Sequence, residues 1–498
     1  MRYRNIFIYI WVILNGLVGF ALGWLISFGF FNVNNPFTII ISGFIFAGLH
    51  GWGWFRILKK TGSNPRRINQ IKAVVIILQL FIVVLITGLL MTQRYKYQNK
   101  PKIFSSYQDS FHRLWQAIDE VYPYFEQKDI DWDSVFLRYN SLVREVKTDE
   151  EFAMLAARML GELEDAHTDI SIPDLIPSVY ASVINRGDLV IVNQVGYSAE
   201  MAGLKSGMII LSVDGKSIEE QIALIDNSLT NAATPWGKKI KAYRQLLSVP
   251  DSPDKVLFVS VIDRSGNQKD IEIKQMVTPT DWKPSQSEFG NQGVEGYLIR
   301  EDIGYIKVDR LWNKHDDIVL EFDQALDQLK NTRGLVLDLR QNGGGDSRIA
   351  EKIAGRFMRE PFIYGRDVFK QRLYKFAWRK SVDYSVRPRG EIYQGIVVVL
   401  TDYPVMSSAE WLVGMLVDGG RAISIGRTTG GATGNPINYE IPGGQARYST
   451  AAFYRPDGSL VEGIGYSPII PVIWTEEDYL CGVDPDIDAA IEWIEKEQ

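Results

Sequence analysis

The chain has 498 residues and a formal net charge of −6, which gives room for two or three domains and no reason to expect a nucleic-acid partner. Its single cysteine, Cys481, excludes an internal disulfide and a cysteine-based metal cluster. His50, His112, His167 and His315 are scattered without paired metal-ligand spacing, so neither a metal nor a cofactor is expected.

Residues 1–100 predict a membrane anchor. Largely apolar stretches at about 6–31, 37–57 and 73–91 each approach the ~20 residues that cross a bilayer as a helix. The first is too long for a signal-peptide core. Arg2 and Arg4 precede it, and Arg56, Lys59, Lys60, Arg66, Arg67 and Lys72 crowd the second connection. The positive-inside bias then makes the chain a multi-pass protein of the cell membrane, with the bilayer as a partner and everything after Met91 extracytoplasmic.

Residues 104–175 read as helices. Phe111, Leu114, Trp115 and Ile118 recur at three and four, as do Phe152, Leu155, Ala156, Met159 and Leu160. The last helix runs out at LGELEDAHTDISI, leaving His167 in the following loop between Asp165 and Asp169. A histidine there is either a satisfied surface residue or a general base.

Short alternating strands fill 178–278, around GYSAEMAGLKSGMIILSVDGKSI. With Gly203, Leu204, Lys205, Gly207, Asp214 and Gly215 in place, this segment resembles a PDZ domain, although Met208 stands where Asp is usual. The resemblance implies a module that adds an extended peptide to a sheet edge and holds its terminal carboxylate on backbone N–H groups. The plainer alternative is a β domain used as a spacer.

From 290 to 498 strands and helices alternate, implying a largely parallel sheet covered on both faces. DLRQNGGGD, at 338–346, places three glycines after a strand. No GK[ST] follows, so an oxyanion hole competes with a phosphate loop. GRTTGGATGNP, at 426–436, is again glycine-rich and again lacks the phosphate-binding lysine. At 395–418 a strand stops at a turn and restarts as a helix beginning with Ser407 and Ser408. Either serine could simply cap that helix, with Glu410 completing a capping box. The same helix start would also suit a serine nucleophile, with unpaired backbone N–H groups beside it.

In their order along the chain, LEDAHT, DLRQNGGG, SSAEWLVGML and DGSLVEGIGYSPIIPV resemble the tail-specific or C-terminal processing serine peptidases, in the branch that includes the tricorn core protease. The resemblance implies an α/β fold with a crotonase-like ββα spiral core. It implies Ser407 as nucleophile, His167 as general base, Glu462 as the group orienting His167, and the N–H groups of Ser408 and of Gly343 or Gly344 as oxyanion donors. Ala432 stands where the Ser-Lys branch has its lysine, and Ala166 where the tricorn-like branch commonly has a serine. The expected function is a membrane-anchored serine endopeptidase acting on extracytoplasmic polypeptides through an acyl-enzyme. The alternatives are an inactive peptide- or ligand-binding membrane protein of the same fold and a membrane sensor.

Overall fold

The computed structural model describes residues 106–497 except 172–179, 226–229, 249–255, 280–281, 283–292, 314–316 and 374–375. It opens with helices α1 (Tyr107–Val121), α2 (Trp132–Leu142) and α3 (Asp149–Gly161). Ser106, Asp131 and Thr148 start them by accepting first-turn N–H groups on their side chains. Strand β1 (Asp169–Ser171) follows.

A small β unit comes next, built from β2 (Ala181–Arg186), β3 (Leu189–Val195), α4 (Tyr197–Met201), β4 (Ile209–Val213), β5 (Lys216–Ser217), α5 (Ile218–Ile222), α6 (Pro235–Tyr243), β6 (Val256–Ile262) and β7 (Gln268–Lys274). Its sheet has the order β2-β3-β4-β6-β7, with β5 paired to β4. Val190, Val192, Ile210, Val259 and Ile273 form a core of its own, closed by Ile240 and Tyr243 of α6.

The remaining elements are β8 (Val294–Arg300), β9 (Ile303–Val308), α7 (Ile318–Leu329), β10 (Gly334–Asp338), α8 (Ser347–Ala354), β11 (Phe362–Leu373), β12 (Phe376–Val386), β13 (Ile396–Thr401), α9 (Ser408–Val417), β14 (Ile423–Gly426), β15 (Ile437–Ile441), β16 (Gly444–Tyr448), β17 (Ala451–Tyr454), β18 (Ile470–Pro471), α10 (Glu476–Leu480) and α11 (Pro485–Lys496). Their main sheet has the order β18-β14-β13-β10-β9-β8 and is parallel except for β8. On one face Leu337 and Val399 pack with Phe322 of α7, Ile353 of α8 and Leu412 of α9. On the other, Val336 and Val398 meet Ile491 and Ile494 of α11. Burial on both faces explains why β10 and β13 are unbroken apolar runs.

Two features carry the chain to the functional region. The N-terminal helices share a core with the last strands, Phe111, Phe152 and Met159 packing with Tyr439, Ala446 and Tyr448. Strand β1 pairs antiparallel with β16, Asp169 opposite Arg447, which delivers the α3–β1 loop to that edge. Meanwhile the neighbouring strands β10, β13 and β14 send out loops 339–346, 402–407 and 427–436 at their C-terminal ends. In open parallel sheets that is where ligands bind.

A buried ionic cluster locks these loops to α11. The Arg340 guanidinium meets Asp338 at 2.7 Å, Asp486 at 2.8 Å and Asp484 at 2.9 Å, and Arg427 meets Asp486 at 2.6 Å.

Two expectations are corrected. The structure supports an α/β fold with mixed sheets; it does not support the crotonase-like label. The membrane-anchored architecture is also corrected: among the described residues no helix is long and apolar enough to cross a membrane. The longest α-helix there, α1, has 15 residues. That is about 22 Å, short of the ~30 Å hydrocarbon core. The three expected spans, at 6–31, 37–57 and 73–91, lie outside the described residues. Among the described residues no spanning helix supports the expectations that depended on it: the bilayer as partner, the multi-pass cell-membrane location, and the extracytoplasmic placement of the peptidase part and its substrates.

Removing Arg340 takes the cation from Asp338 and Asp484 and leaves Asp486 to Arg427 alone. Arg340→Leu is expected to lower the unfolding free energy by about 3–5 kcal/mol. Denaturant titration measures this, and a loss below about 1 kcal/mol would show that the cluster lacks that weight.

Candidate active site

Ser407 lies between β13 and α9 at φ 58° and ψ −129°. Residues with a Cβ rarely adopt such a backbone, and it survives only where neighbours over-determine it. The Ser407 N–H donates to Ala432 O at 2.8 Å, and the Met406 N–H donates to Asn342 O at 3.2 Å. Ser407 occupies the N-cap position of α9, yet its side chain makes no capping bond. The cap and the free hydroxyl are thereby distinguished: the helix starts here, and the hydroxyl faces a cavity.

Glu410, three residues on, explains why. Its side chain, fully buried, reaches the neighbouring loop, accepting from Thr429 Oγ1, from the Gly431 N–H at 2.8 Å and from the Ala432 N–H at 2.9 Å. Burial pushes its carboxyl up to about 7, opposed by the bonds from Thr429, Ala432, Gly431 and Ser407.

The glycine loop lies directly against this turn. Gly344 has φ 91°, and a Cβ there would sit 2.6 Å from Met406 O and 2.8 Å from Ser407 Cβ. Only glycine permits so close an approach. The Gly344 N–H donates to Asn342 Oδ1 at 2.9 Å, and Asn342 Nδ2 donates to Val308 O at 2.8 Å. Among the described residues, the N–H groups of Gly343 and Ser408 have no protein acceptor. Both residues line the cavity.

That cavity, of about 610 Å³, is lined by Ser407, Gly343, Arg310, Trp411, Arg447 and, from the α3–β1 loop, His167. His167 is 7% exposed, and its ring has no hydrogen bond to Ser407 or Glu462; Nδ1 is buried without a partner. Burial pushes its imidazole down to about 4; Asp165 opposes this, and Arg447 and Lys241 reinforce it. The loop is fixed at several points. The His167 N–H donates to Asp165 Oδ1 at 2.8 Å. Asn231 accepts the Asp165 N–H at 2.9 Å and donates to Leu160 O and Thr168 O at 3.1 and 2.8 Å. Lys241 Nζ of α6 donates to Ala166 O at 3.0 Å.

Glu462 is placed differently from the expected triad. Its Oε1 accepts from Lys128 Nζ at 3.0 Å and its Oε2 from the Thr433 N–H at 3.1 Å. Lys128 also donates to Leu163 O at 3.1 Å and to Glu164 O at 2.7 Å. Glu462 thus joins the glycine-rich loop to the segment leading into His167 without touching the imidazole. Burial pushes its carboxyl up to about 8, with Asp165 adding to the rise and Lys128 and the Thr433 N–H opposing it.

Sequence reasoning did not find Lys128, Asn231 or Asn342. Lys128 and Asn231 carry no local signal, because their partners lie 334 and 66 residues away. Asn342 sits inside DLRQNGGG, where the glycines carry the visible signal.

Residues 302–472 match peptidase family S41, and residues 105–161 match the tricorn protease C1 domain. The chain is 25% identical over 378 residues to the carboxyl-terminal-processing protease of Picosynechococcus sp., covering 71% of this chain and 80% of that protein. It is 24% identical over 399 residues to the chloroplastic C-terminal processing peptidase of Tetradesmus obliquus, covering 75% and 80%. Among solved structures, mature CPAF superposes with a TM-score of 0.61 at 14% identity, covering 79% of this chain and 96% of that chain. That likeness concerns the fold.

Two outcomes follow from the buried carboxylates. Glu410→Gln turns an amide donor toward backbone N–H groups, so the 431–432 loop and the Ser407 turn should shift, lowering kcat by about 10²-fold; unchanged kcat would show that the turn holds without the carboxylate. Lys128→Met removes the cation that opposes the rise of the Glu462 carboxyl, so the variant should lose about 3 kcal/mol where Glu462 is ionised, as pH climbs through about 8. Chemical denaturation should show this deficit smallest at neutral and acid pH, where Glu462 is neutral.

Proposed function

Because the chain belongs to the S41 family of C-terminal-processing and tricorn-like serine peptidases, with a PDZ-like module, we propose that it hydrolyses peptide bonds of polypeptides with Ser407 as nucleophile and His167 as general base. The observation that carries this reading is the Ser407 turn. Its strained backbone and uncapping hydroxyl open into the same cavity as His167 and two unpaired N–H groups.

In the proposed reaction, Ser407 Oγ attacks the scissile carbonyl while His167 takes its proton. The Gly343 and Ser408 N–H groups receive the oxyanion, each contributing about 3 kcal/mol. Gly344 serves differently, since its N–H is held by Asn342. It lets the donor loop approach the turn. His167 then passes the proton to the leaving amine, giving an acyl-enzyme that water hydrolyses by the reverse proton path. Glu462 holds the site together through Lys128 and Thr433.

The 104–175 and 290–498 segments are proposed as one peptidase unit and 178–278 as a peptide-presenting module. Helix α6 of that module supports such a link. Its N-cap Thr234 donates through Oγ1 to Gly430 O at 3.0 Å, and Trp236 Nε1 donates to Thr429 O at 2.9 Å.

The full-length chain is expected to hydrolyse an unfolded polypeptide and to be labelled at Ser407 by a fluorophosphonate, with both lost in Ser407→Ala. Equal degradation by wild type and Ser407→Ala would refute the mechanism. The pH profile offers an independent check. The base must be neutral, and burial holds His167 down to about 4. kcat/KM should therefore stay level from neutral pH to about pH 5 and fall as pH drops through about 4. A fall centred near 6.5 would indicate a solvated histidine instead.

A further inference from the structure

Resting on the peptidase reading above, we infer that Asp165 is the positioning residue for His167: a rotation of the imidazole, whose Nδ1 makes no hydrogen bond in the structure, brings its Nδ1–H to the second carboxylate oxygen and fixes the tautomer whose Nε2 faces Ser407.

Three observations carry this. First, both oxygens of Glu462 are engaged, by Lys128 Nζ and the Thr433 N–H, and the residue before the base is Ala166, whose methyl group relays nothing. Second, Asp165 is 0% exposed and His167 7% exposed. Asp165 Oδ1 accepts the backbone N–H of His167, while Asp165 Oδ2 and His167 Nδ1 are both buried and unpartnered. A carboxylate oxygen and an imidazole N–H are complementary, two residues apart on one tight loop. Third, the loop is clamped so that Asp165 cannot swing away. Asn231 grips its N–H, and the Thr168 N–H donates to Asp165 O at 3.0 Å.

The surroundings make a carboxylate useful here. Lys241 of α6 and Arg447 of β16 face the imidazole and disfavour its cation; Asp165 alone among the strong influences favours it. Asp169 of β1 and the hydroxyls of Tyr122 and Tyr124 lie near the same carboxylate, as does Glu462 with its Lys128 partner. Unpartnered Thr168 Oγ1 and Thr433 Oγ1 are uncharged and cannot stabilise an imidazolium as a carboxylate does.

The competing account is that Asp165 only shapes the turn, and Asp165→Asn separates the two. Its Oδ1 still accepts the His167 N–H, so the turn survives. Its amide, however, donates toward Nδ1 and forces the proton onto Nε2. A positioning role predicts a kcat loss of about 10³–10⁴-fold. It also predicts that the acidic limb of kcat/KM moves to lower pH, because the carboxylate that favoured the imidazolium is gone. A turn-only role predicts the shift of the limb from the lost charge but no such loss of kcat, and activity within about fivefold of wild type would overturn the inference.

NMR of isotope-labelled imidazole nitrogens in full-length wild type gives a readout that needs neither turnover nor a folded variant. His167 protonated at Nδ1 supports the inference; protonation at Nε2 overturns it. If wild type shows no turnover, the peptidase reading fails, while the tautomer still decides the role of Asp165.

Discussion

The strained backbone of Ser407 depends on a carboxylate buried beneath it. A residue held at such φ and ψ costs about 1–3 kcal/mol and relaxes unless its neighbours forbid it. Glu410 supplies much of that constraint, since it binds the N–H groups of Gly431 and Ala432, and Ala432 O in turn holds the Ser407 N–H. A glutamate at the third position of a helix usually folds back to cap its own start. Here it also reaches across to the loop after β14, so turn, helix and loop behave as one rigid piece. Gly344 completes the constraint from the opposite side, where any side chain would collide with Met406 O.

Three further buried carboxylates show how differently a buried charge can be accommodated. Asp338 is neutralised by Arg340, which holds its carboxyl well below the usual range despite burial. Glu462 has one cation and one backbone donor, and burial still prevails, raising its carboxyl. Asp165 sits in a turn with one oxygen satisfied and the other left open. An open buried oxygen is expensive, so it is found where something else makes use of it. The arrangement separates a stabilising ionic cluster at the base of the loops from a less satisfied group beside the base.

Much of this was legible in the sequence, and the rest was hidden for physical reasons. Ile396 to Leu400 and GLVLD announced themselves as strands because a parallel strand covered on both faces is apolar throughout. The glycine run at 343–345 pointed to exposed backbone donors, although which N–H groups are free depended on Asn342, whose side chain occupies one of them. The long β11–β12 hairpin went unread, since Arg366, Asp367 and Lys370 interrupt its alternation. Contacts such as Lys128 with Glu462 join residues 334 apart and leave no periodic trace. The histidine loop was visible as LEDAHT, but local pattern alone could not separate an acidic cluster from a charge partner.

Ala166 brings these strands of argument together. In the branch this chain resembles, a serine commonly stands there, and the resemblance assigned the orienting role to Glu462. The structure leaves residue 166 only a carbonyl to offer, and that carbonyl accepts from Lys241. Glu462 meanwhile turns to Lys128 and Thr433, with Asp165 lying close enough to both Glu462 and His167 to perturb each. With no hydroxyl at residue 166 and both oxygens of Glu462 engaged, neither residue hydrogen-bonds the imidazole. For a histidine lowered by burial, Arg447 and Lys241, a nearby anion favours the imidazolium that forms when it accepts the serine proton. The fold supplies one within the same turn, two residues before the base, where the backbone bond that shapes the loop also fixes the carboxylate's position.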